Sequence, residues 1–321
     1  MEKNFVVGVD VGGQTSKLGI VDSNGILVAS DVIRSDTYGT DAAAFIKALA
    51  EAIKALIKKA DKEGQIRGIG VGAPNGNHLD GTIAFAPNLA WAANGVVEFK
   101  KLLTAALNLP VDITNDANAA AVGEMEYGNA KGMKNFIMIT LGTGVGSGIV
   151  IDGKIVYGHD GFAGELGHTR AVRENGRLCG CGLSGCLEAY CSAKAVERTA
   201  REWLELSDED SLLRKIEKID AKDVFVAAEA GDALAKRVFD FTGTMLGRSL
   251  ADFIAFSAPE AIVLFGGLTN SRKYLEGPIV KAMNDNVLPI WKNKVKLLFS
   301  KFSGSEAAII GASALAWHIQ D

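Results

Sequence analysis

Apolar residues follow two rhythms along this chain, one of period two and one of three to four, and the same order of rhythms occurs twice. Phe5 to Gly13 is a valine-rich run ending in paired glycines, and Leu18 to Val21 is a second apolar run. Asn24-Gly25 then predicts a hairpin into a third strand at Ile26 to Ala29. Between Asp41 and Lys62, Phe45, Ile46, Leu49, Ile53, Leu56 and Ile57 recur at helical spacing, with Gly64 as the stop. A buried strand follows at "IRGIGVGAP", a helix over Val97 to Leu107, and a strand at "VDIT".

The second half repeats the order. "NFIMITLGTG" is a strand ending in glycines, "SGIVI" is the next, Asp152-Gly153 is a hairpin dipeptide and "KIVYG" the third strand. Helices are expected around Ala193 to Leu206 and Asp232 to Phe256, then a strand at "AIVLFGG". A helix from about Gly277 to Val287, the strand "VKLLF" and a closing helix from Ser305 to Trp317 complete the copy. Two such copies imply two similar α/β domains facing one another. The expected division is 1–115 plus 305–321 as a smaller domain and 116–304 as a larger one, with a hinge near Thr114 to Ala117.

Composition narrows the function. Nearly half of the 321 residues are apolar, enough for two cores. The formal net charge of −4 gives no basic field for nucleic acid or an anionic membrane. No apolar run approaches the roughly 20 residues of a membrane span. The N-terminus enters a strand directly, and all four cysteines fall between 179 and 191, which reads as metal ligation in a cytoplasmic protein and not as a disulfide framework.

The candidate chemistry sits at strand ends. Asp10-Val11-Gly12-Gly13 closes the first strand of copy one and Gly142-Thr143-Gly144 that of copy two. Bare glycine amides with nearby hydroxyls, Thr15 and Thr143, suit phosphate oxygens. The spacing fits neither G-x-G-x-x-G nor G-x-x-x-x-G-K-[ST]. Gly266 and Gly267 supply a third pair after a late strand. His168, Cys179, Cys181 and Cys186 offer an imidazole and three thiolates, the donor set of a closed zinc site, with Glu165 and Glu188 on either side. Cys191 competes as the fourth ligand, and buried or oxidisable cysteines are the plain alternative. Asp116 reads equally as a catalytic carboxylate at a strand-to-helix junction or as a helix N-cap.

These motifs together resemble the ROK sugar kinases of the actin and hexokinase superfamily, with the glucokinases as the nearest type. The resemblance rests on "DVGGQTSKLGIVD", "NDANAAAVGE", "LGTGVGSGIV", "GELGH", "CGCGLSGCLE" and "FGGL", and runs from about residue 6 to about 315. It implies two duplicated ribonuclease H-like domains around an interdomain cleft, ATP, Mg2+, structural Zn2+ and a homodimer or homotetramer. Carried over by position, Asp116 is the catalytic base, and Asn88, Asn115, Asp116, Glu165, His168 and Glu188 bind the sugar. Asp10 organises magnesium, Gly12, Gly13, Thr15, Gly142, Thr143 and Gly144 surround the phosphates, and Gly266 and Gly267 lie beside adenosine. Zinc falls to His168, Cys179, Cys181 and Cys186. Glu188 also reads as the start of a helix, and Asn88 as a turn former in "APNLAW".

Glucose is the expected substrate, phosphorylated at its 6-hydroxyl, with N-acetylglucosamine, N-acetylmannosamine, mannose and fructose kinases as alternatives. The family also contains sugar-responsive repressors with a helix-turn-helix domain ahead of the sugar-binding part, and the few residues before Asp10 are too short for one. Two departures stand out: Gln14 follows the first glycine pair where the family has threonine, and "GAPNG" puts Asn75 where the family has glycine.

Overall fold

The computed structural model describes residues 3–302 and 306–319. The expected start of the closing helix at Ser305 lies outside the described residues. The first sheet forms from β1 (Phe5–Val11), β2 (Thr15–Asp22) and β3 (Leu27–Arg34) as an antiparallel meander. Asp22 closes the hairpin between the last two, its Oδ1 accepting from the backbone N–H groups of Asn24 and Ile26. Helix α1 (Ala42–Lys59) follows, capped by the Asp41 carboxylate on the Ala44 N–H. The remaining elements of this half are β4 (Ile66–Gly72), the short pair β5 (Ile83–Ala84) and β6 (Val96–Val97), α2 (Phe99–Leu107), β7 (Val111–Thr114) and α3 (Asp116–Tyr127). Val97 belongs to β6 and not to the helix expected from it, because it pairs with Ile83.

The second series is β8 (Phe136–Leu141), β9 (Val145–Ile151) and β10 (Lys154–Ile155), then α4 (Glu188–Cys191), α5 (Ala193–Leu206), α6 (Ala221–Glu229) and α7 (Ala233–Ser257). It ends with β11 (Ala261–Phe265), α8 (Arg272–Asn286), β12 (Lys296–Phe299) and α9 (Ala307–Leu315). The two five-stranded sheets have the same order, β3-β2-β1-β4-β7 and β10-β9-β8-β11-β12. Each has its first three strands in a meander, and parallel strands follow. The duplication read from the sequence is thus a duplication of topology.

By their internal contacts, residues Met1–Lys134, Gly148–Gly164 and Lys301–Asp321 form one compact unit, and Asn135–Ser147 with Glu165–Ser300 form another. The division falls after α3, not before Asp116 as the sequence suggested. Helix α3 packs along α9, and α9 lies on β1 and β4, so α3 belongs with the first sheet. In this first unit Gly70 lets α9 come close: a Cβ there would stand 1.9 Å from the Ala312 carbonyl oxygen. Beneath α1 and α2, Phe45 stacks on Trp91 with ring centroids 4.6 Å apart. Burying Phe45 completely contributes about 2–3 kcal/mol.

In the second unit, α8 starts at Arg272, five residues earlier than its sequence suggests, and runs through Pro278. An interior proline normally breaks a helix. Here its ring lies against Gly243 of α7, where a Cβ would be 2.8 Å from the Pro278 Cβ, and this close packing offsets the missing hydrogen bond. Helix α6 escaped the sequence reading, although Asp220 and Asp223 form a reciprocal capping box at its start. Among the described residues no helix is long and apolar enough to cross a membrane.

Candidate active site

In the first unit the site grows from the carboxyl ends of parallel strands, the customary place for ligands in open α/β sheets. Asp10 near the end of β1 is level with Gly72 of β4, and Gly72 is level with Thr114, the last residue of β7. Asn115 then caps α3, its Oδ1 accepting from the Asn118 N–H at 2.7 Å. The cap role that the sequence left open to Asp116 therefore falls to Asn115, whose side-chain NH2 remains as a donor. Asp116 is the first residue of α3, and its Oδ1 accepts from the Ala117 N–H at 2.9 Å.

The two carboxylates share one field. Burial raises the Asp10 pKa to about 6; Lys17 opposes this and the Asp116 charge adds to it. Asp116 is pushed up by desolvation as well, although solvent still reaches its side chain; backbone N–H groups moderate the rise. Two mutually repelling carboxylates suit an oxygen-preferring dication, whose charge would offset their repulsion.

Around them, the Gly12 N–H donates to the Thr15 carbonyl at 3.1 Å and closes the turn, leaving Gln14 exposed and Thr15 half-buried at the start of β2. The Asn88 backbone approaches this turn so closely that a Cβ on Gly13 would lie 2.4 Å from its carbonyl oxygen, while the residue itself is exposed. Asn75 adopts φ 52°, as the turn required, and its Nδ2 donates to the carbonyls of Ala84 and Phe85 at 3.0 and 3.1 Å. Phe85 itself has φ 48° and is 62% exposed.

Sequence reasoning missed a cluster on the same unit. The His78 ring stacks on Tyr157 at 4.3 Å, and its Nδ1 lies 3.1 Å from buried Asp112, out of line for a hydrogen bond. Lys100 approaches Asp112 at 3.4 Å. Nothing in the spacing of residues 78, 100, 112 and 157 signals this convergence.

In the second unit, the Gly142 N–H donates to the Gly144 carbonyl at 3.0 Å and leaves Thr143 exposed, closing a turn equivalent to that at Gly12. Glu188 opens α4, as its alternative reading held, and its carboxylate joins two segments. Oε2 accepts from the Val145 N–H at 3.0 Å, and Oε1 accepts from Cys179 Sγ at 3.4 Å. A Cβ at 144 would stand 2.3 Å from Glu188 Oε2, so a larger residue there would push this carboxylate aside. Gly266, at φ 107°, ends the strand segment after β11, and Gly267 beside it is exposed.

The ligand atoms of His168, Cys179, Cys181 and Cys186 all lie within 4.8 Å of one another. Cys181 Sγ is 3.7 Å from Cys186 Sγ, and Cys179 Sγ is 3.9 Å from His168 Nδ1. A tetrahedron with arms of about 2.3 Å has edges of about 3.8 Å, so this spacing fits zinc. Cys191 is not part of the set: it is fully buried in the core of this unit and points at the Thr242 carbonyl, 3.6 Å away. With Nδ1 towards the thiols, His168 Nε2 faces outward, 4.0 Å from Glu165 Oε2. Arg177, two residues before Cys179, also escaped the sequence reading; it is nearly enclosed by α4, α5 and α7.

Comparison with known proteins places the chain in a family. The family model described as "ROK family" matches residues 6–319. The glucokinase of Halalkalibacterium halodurans is 37% identical over 321 residues, covering 98% of this chain and 96% of that protein. A ROK family glucokinase from Streptomyces griseus, solved in complex with glucose and AMPPNP, is 32% identical with a TM-score of 0.78, over 98% of this chain and 99% of that one. A ROK hexokinase from Thermus thermophilus, 30% identical, aligns with a TM-score of 0.81 over 98% of both chains. A model match over nearly the whole length, full-length relatives and the duplicated sheet topology agree: the chain belongs to the ROK family.

Proposed function

We propose that this protein is an ATP-dependent kinase that phosphorylates glucose at its 6-hydroxyl, with Asp116 as the base. The observation that carries the reading is the pairing of Asp10 and Asp116 at the carboxyl ends of the first sheet, both with raised pKa values. A sugar hydroxyl is a poor nucleophile, and a carboxylate aligned with it takes its proton as the phosphoryl group transfers, which is worth roughly 10²- to 10⁴-fold. A raised pKa strengthens Asp116 as that acceptor. Because Asn115 caps α3, the Asp116 side chain is left to the substrate.

The other roles follow residue by residue. Asn88 and the NH2 group of Asn115 bind sugar hydroxyls, as do Glu165, Glu188 and the outward Nε2 of His168. Gly12, Gly13 and Thr15, and likewise Gly142, Thr143 and Gly144, donate to phosphate oxygens; Gly266 and Gly267 flank adenosine. The AMPPNP and glucose in the Streptomyces griseus relative support this assignment of ligands. Asp10 would hold Mg2+, which when bound supplies positive charge at the phosphates. Zinc on His168, Cys179, Cys181 and Cys186 would have no open position and would serve as a structural tie. The ion needs the Cys179 thiolate, so the contact of that thiol with Glu188 Oε1 would end and leave the oxygen to a sugar hydroxyl.

A cytoplasmic location is supported by four free cysteines. A homodimer or homotetramer belongs to this reading through the family resemblance. The test of function is a coupled ATP-consumption assay over glucose, mannose, fructose and N-acetylhexosamines. Glucose is expected to give the highest kcat/KM. A clear preference for an N-acetylhexosamine or fructose removes the glucose assignment and leaves the sugar-kinase class.

A further inference from the structure

The four candidate zinc ligands sit at the edges of a ribbon that has little core of its own. Leu178 and Leu183 are 65% and 48% exposed, Cys181 is exposed, and glycines at 176, 180, 182 and 185 interrupt the chain. Short backbone pairings fold it: Leu178 bridges Ser184, Arg170 bridges Cys186, and the Cys179 N–H donates to the Leu183 carbonyl at 2.8 Å. None of these fixes the ribbon to the rest of its unit.

Arg177 does. Its guanidinium donates to the Ala189 carbonyl of α4 at 3.3 Å, to Thr199 Oγ1 of α5 at 2.8 Å and to Glu202 Oε2 of α5 at 2.5 Å. The rings of Tyr190 and Phe241 lie 5.0 and 5.7 Å from its central carbon, and the side chain is 12% exposed. Its backbone is held too, the N–H by Tyr190 Oη at 2.8 Å and the carbonyl by the Gly185 N–H at 2.8 Å. Glu202 serves a second cation: Arg198 Nε reaches Oε1 at 2.6 Å, and Arg198 Nη1 donates to the Leu178 carbonyl at 3.2 Å. Both residues immediately before Cys179 are therefore tied to α5, and Glu202 is the common anchor.

We propose that Arg177 and Glu202 are positioning residues for the zinc loop, setting how firmly the metal is held and, through His168 and Glu188, how well the sugar is bound. The inference rests on the sugar-kinase reading for its second half alone. A planar, multiply bonded guanidinium cannot be replaced by an ammonium, so Arg177→Lys loosens the clamp while keeping its charge. Glu202→Gln keeps shape and removes the anchor's charge. Partners behind metal ligands typically change metal affinity by 10- to 100-fold when altered.

The test measures zinc release from the purified holoenzyme into excess chelator, alongside steady-state kinetics and circular dichroism. Both variants are expected to release zinc at least about tenfold faster and to raise the glucose KM about tenfold. Their kcat and ATP KM should stay within about threefold of wild type. Surface Arg272→Gln, on α8, should match wild type throughout. Folded variants with wild-type zinc release overturn the proposal, as does wild-type protein that holds no zinc. Faster release with an unchanged glucose KM overturns the link to the sugar. If Arg177→Lys does not fold, the milder Glu202→Gln decides. Wild-type protein that keeps zinc but does not phosphorylate glucose removes the kinase reading, and zinc release still judges the clamp.

Discussion

Asp10 and Thr114 stand at the same level of one sheet, two strands apart with Gly72 between them. Two residues beyond Thr114 the chain has turned into α3 and presents Asp116, whose charge adds a little to the rise that burial imposes on the Asp10 pKa. The separation of 106 positions along the chain is closed by parallel pairing on either side of β4, so strand register brings these two carboxylates into one field.

Asp116→Asn keeps the size of the side chain and removes only the proton acceptor. The expected result is a kcat lower by about 10²-fold or more, with glucose and ATP binding close to wild type by calorimetry. A kcat within a few-fold of wild type would remove Asp116 as the base.

Asp10 should make stability depend on pH in an unusual direction. Its native pKa of about 6 lies above the ordinary 3.8, so between those values the native state holds more of this proton than the unfolded chain. This contribution to stability therefore falls as pH rises through that window, and the penalty is complete above about pH 6. Asp10→Asn removes it. The metal-free variant is expected to be more stable than wild type at pH 7.5, by up to about 3 kcal/mol, and no more stable near pH 4. Equal differences at the two pH values in thermal unfolding would contradict this account.

One zinc per chain is expected from elemental analysis. Chelation, or Cys179→Ser or Cys181→Ser, should lower the Tm and raise the glucose KM together, because a thiolate-rich site contributes folding free energy directly. Metal-free protein with normal Tm and full activity would refute a structural zinc.

Asn75 takes a left-handed backbone and ties down Ala84 and Phe85. Asn75→Gly keeps the backbone and loses the two hydrogen bonds, for about 1 kcal/mol at this exposed position. Asn75→Ala loses the bonds and adds roughly 1–2 kcal/mol of left-handed strain. Denaturant unfolding should rank wild type above glycine and glycine above alanine. Alanine at or above glycine would contradict the strain argument.

Some errors in reading the sequence have a common origin. Proline at 278 signals a break, and the helix persists because Gly243 of another helix receives the ring. Val97 continues a helical apolar pattern, and Ile83 draws it into a strand pair. The third strand of the second meander is shorter than "KIVYG" suggests: Lys154 and Ile155 pair with β9, the Val156 N–H adds one bond to the Ile149 carbonyl, and the strand ends there. For Pro278 and Val97 a residue distant along the chain overrides a local preference.

The sequence by itself determined the repeated strand order, the glycine turns and hairpin dipeptides, and a His/Cys donor set gathered within nineteen residues, because periodicity, turn chemistry and ligand spacing are properties of near neighbours. It left two choices open, and the tertiary structure decided both. His168, not Cys191, joins the thiols, since Cys191, at the end of α4, is buried in the core and faces the Thr242 carbonyl. Asn115, not Asp116, caps α3, since the cap goes to the residue whose backbone is still extended as β7 ends. The clamp of Arg177 and Arg198 on Glu202 had no sequence signal at all: it requires the ribbon and α5 to pack side by side, and packing depends on the whole fold.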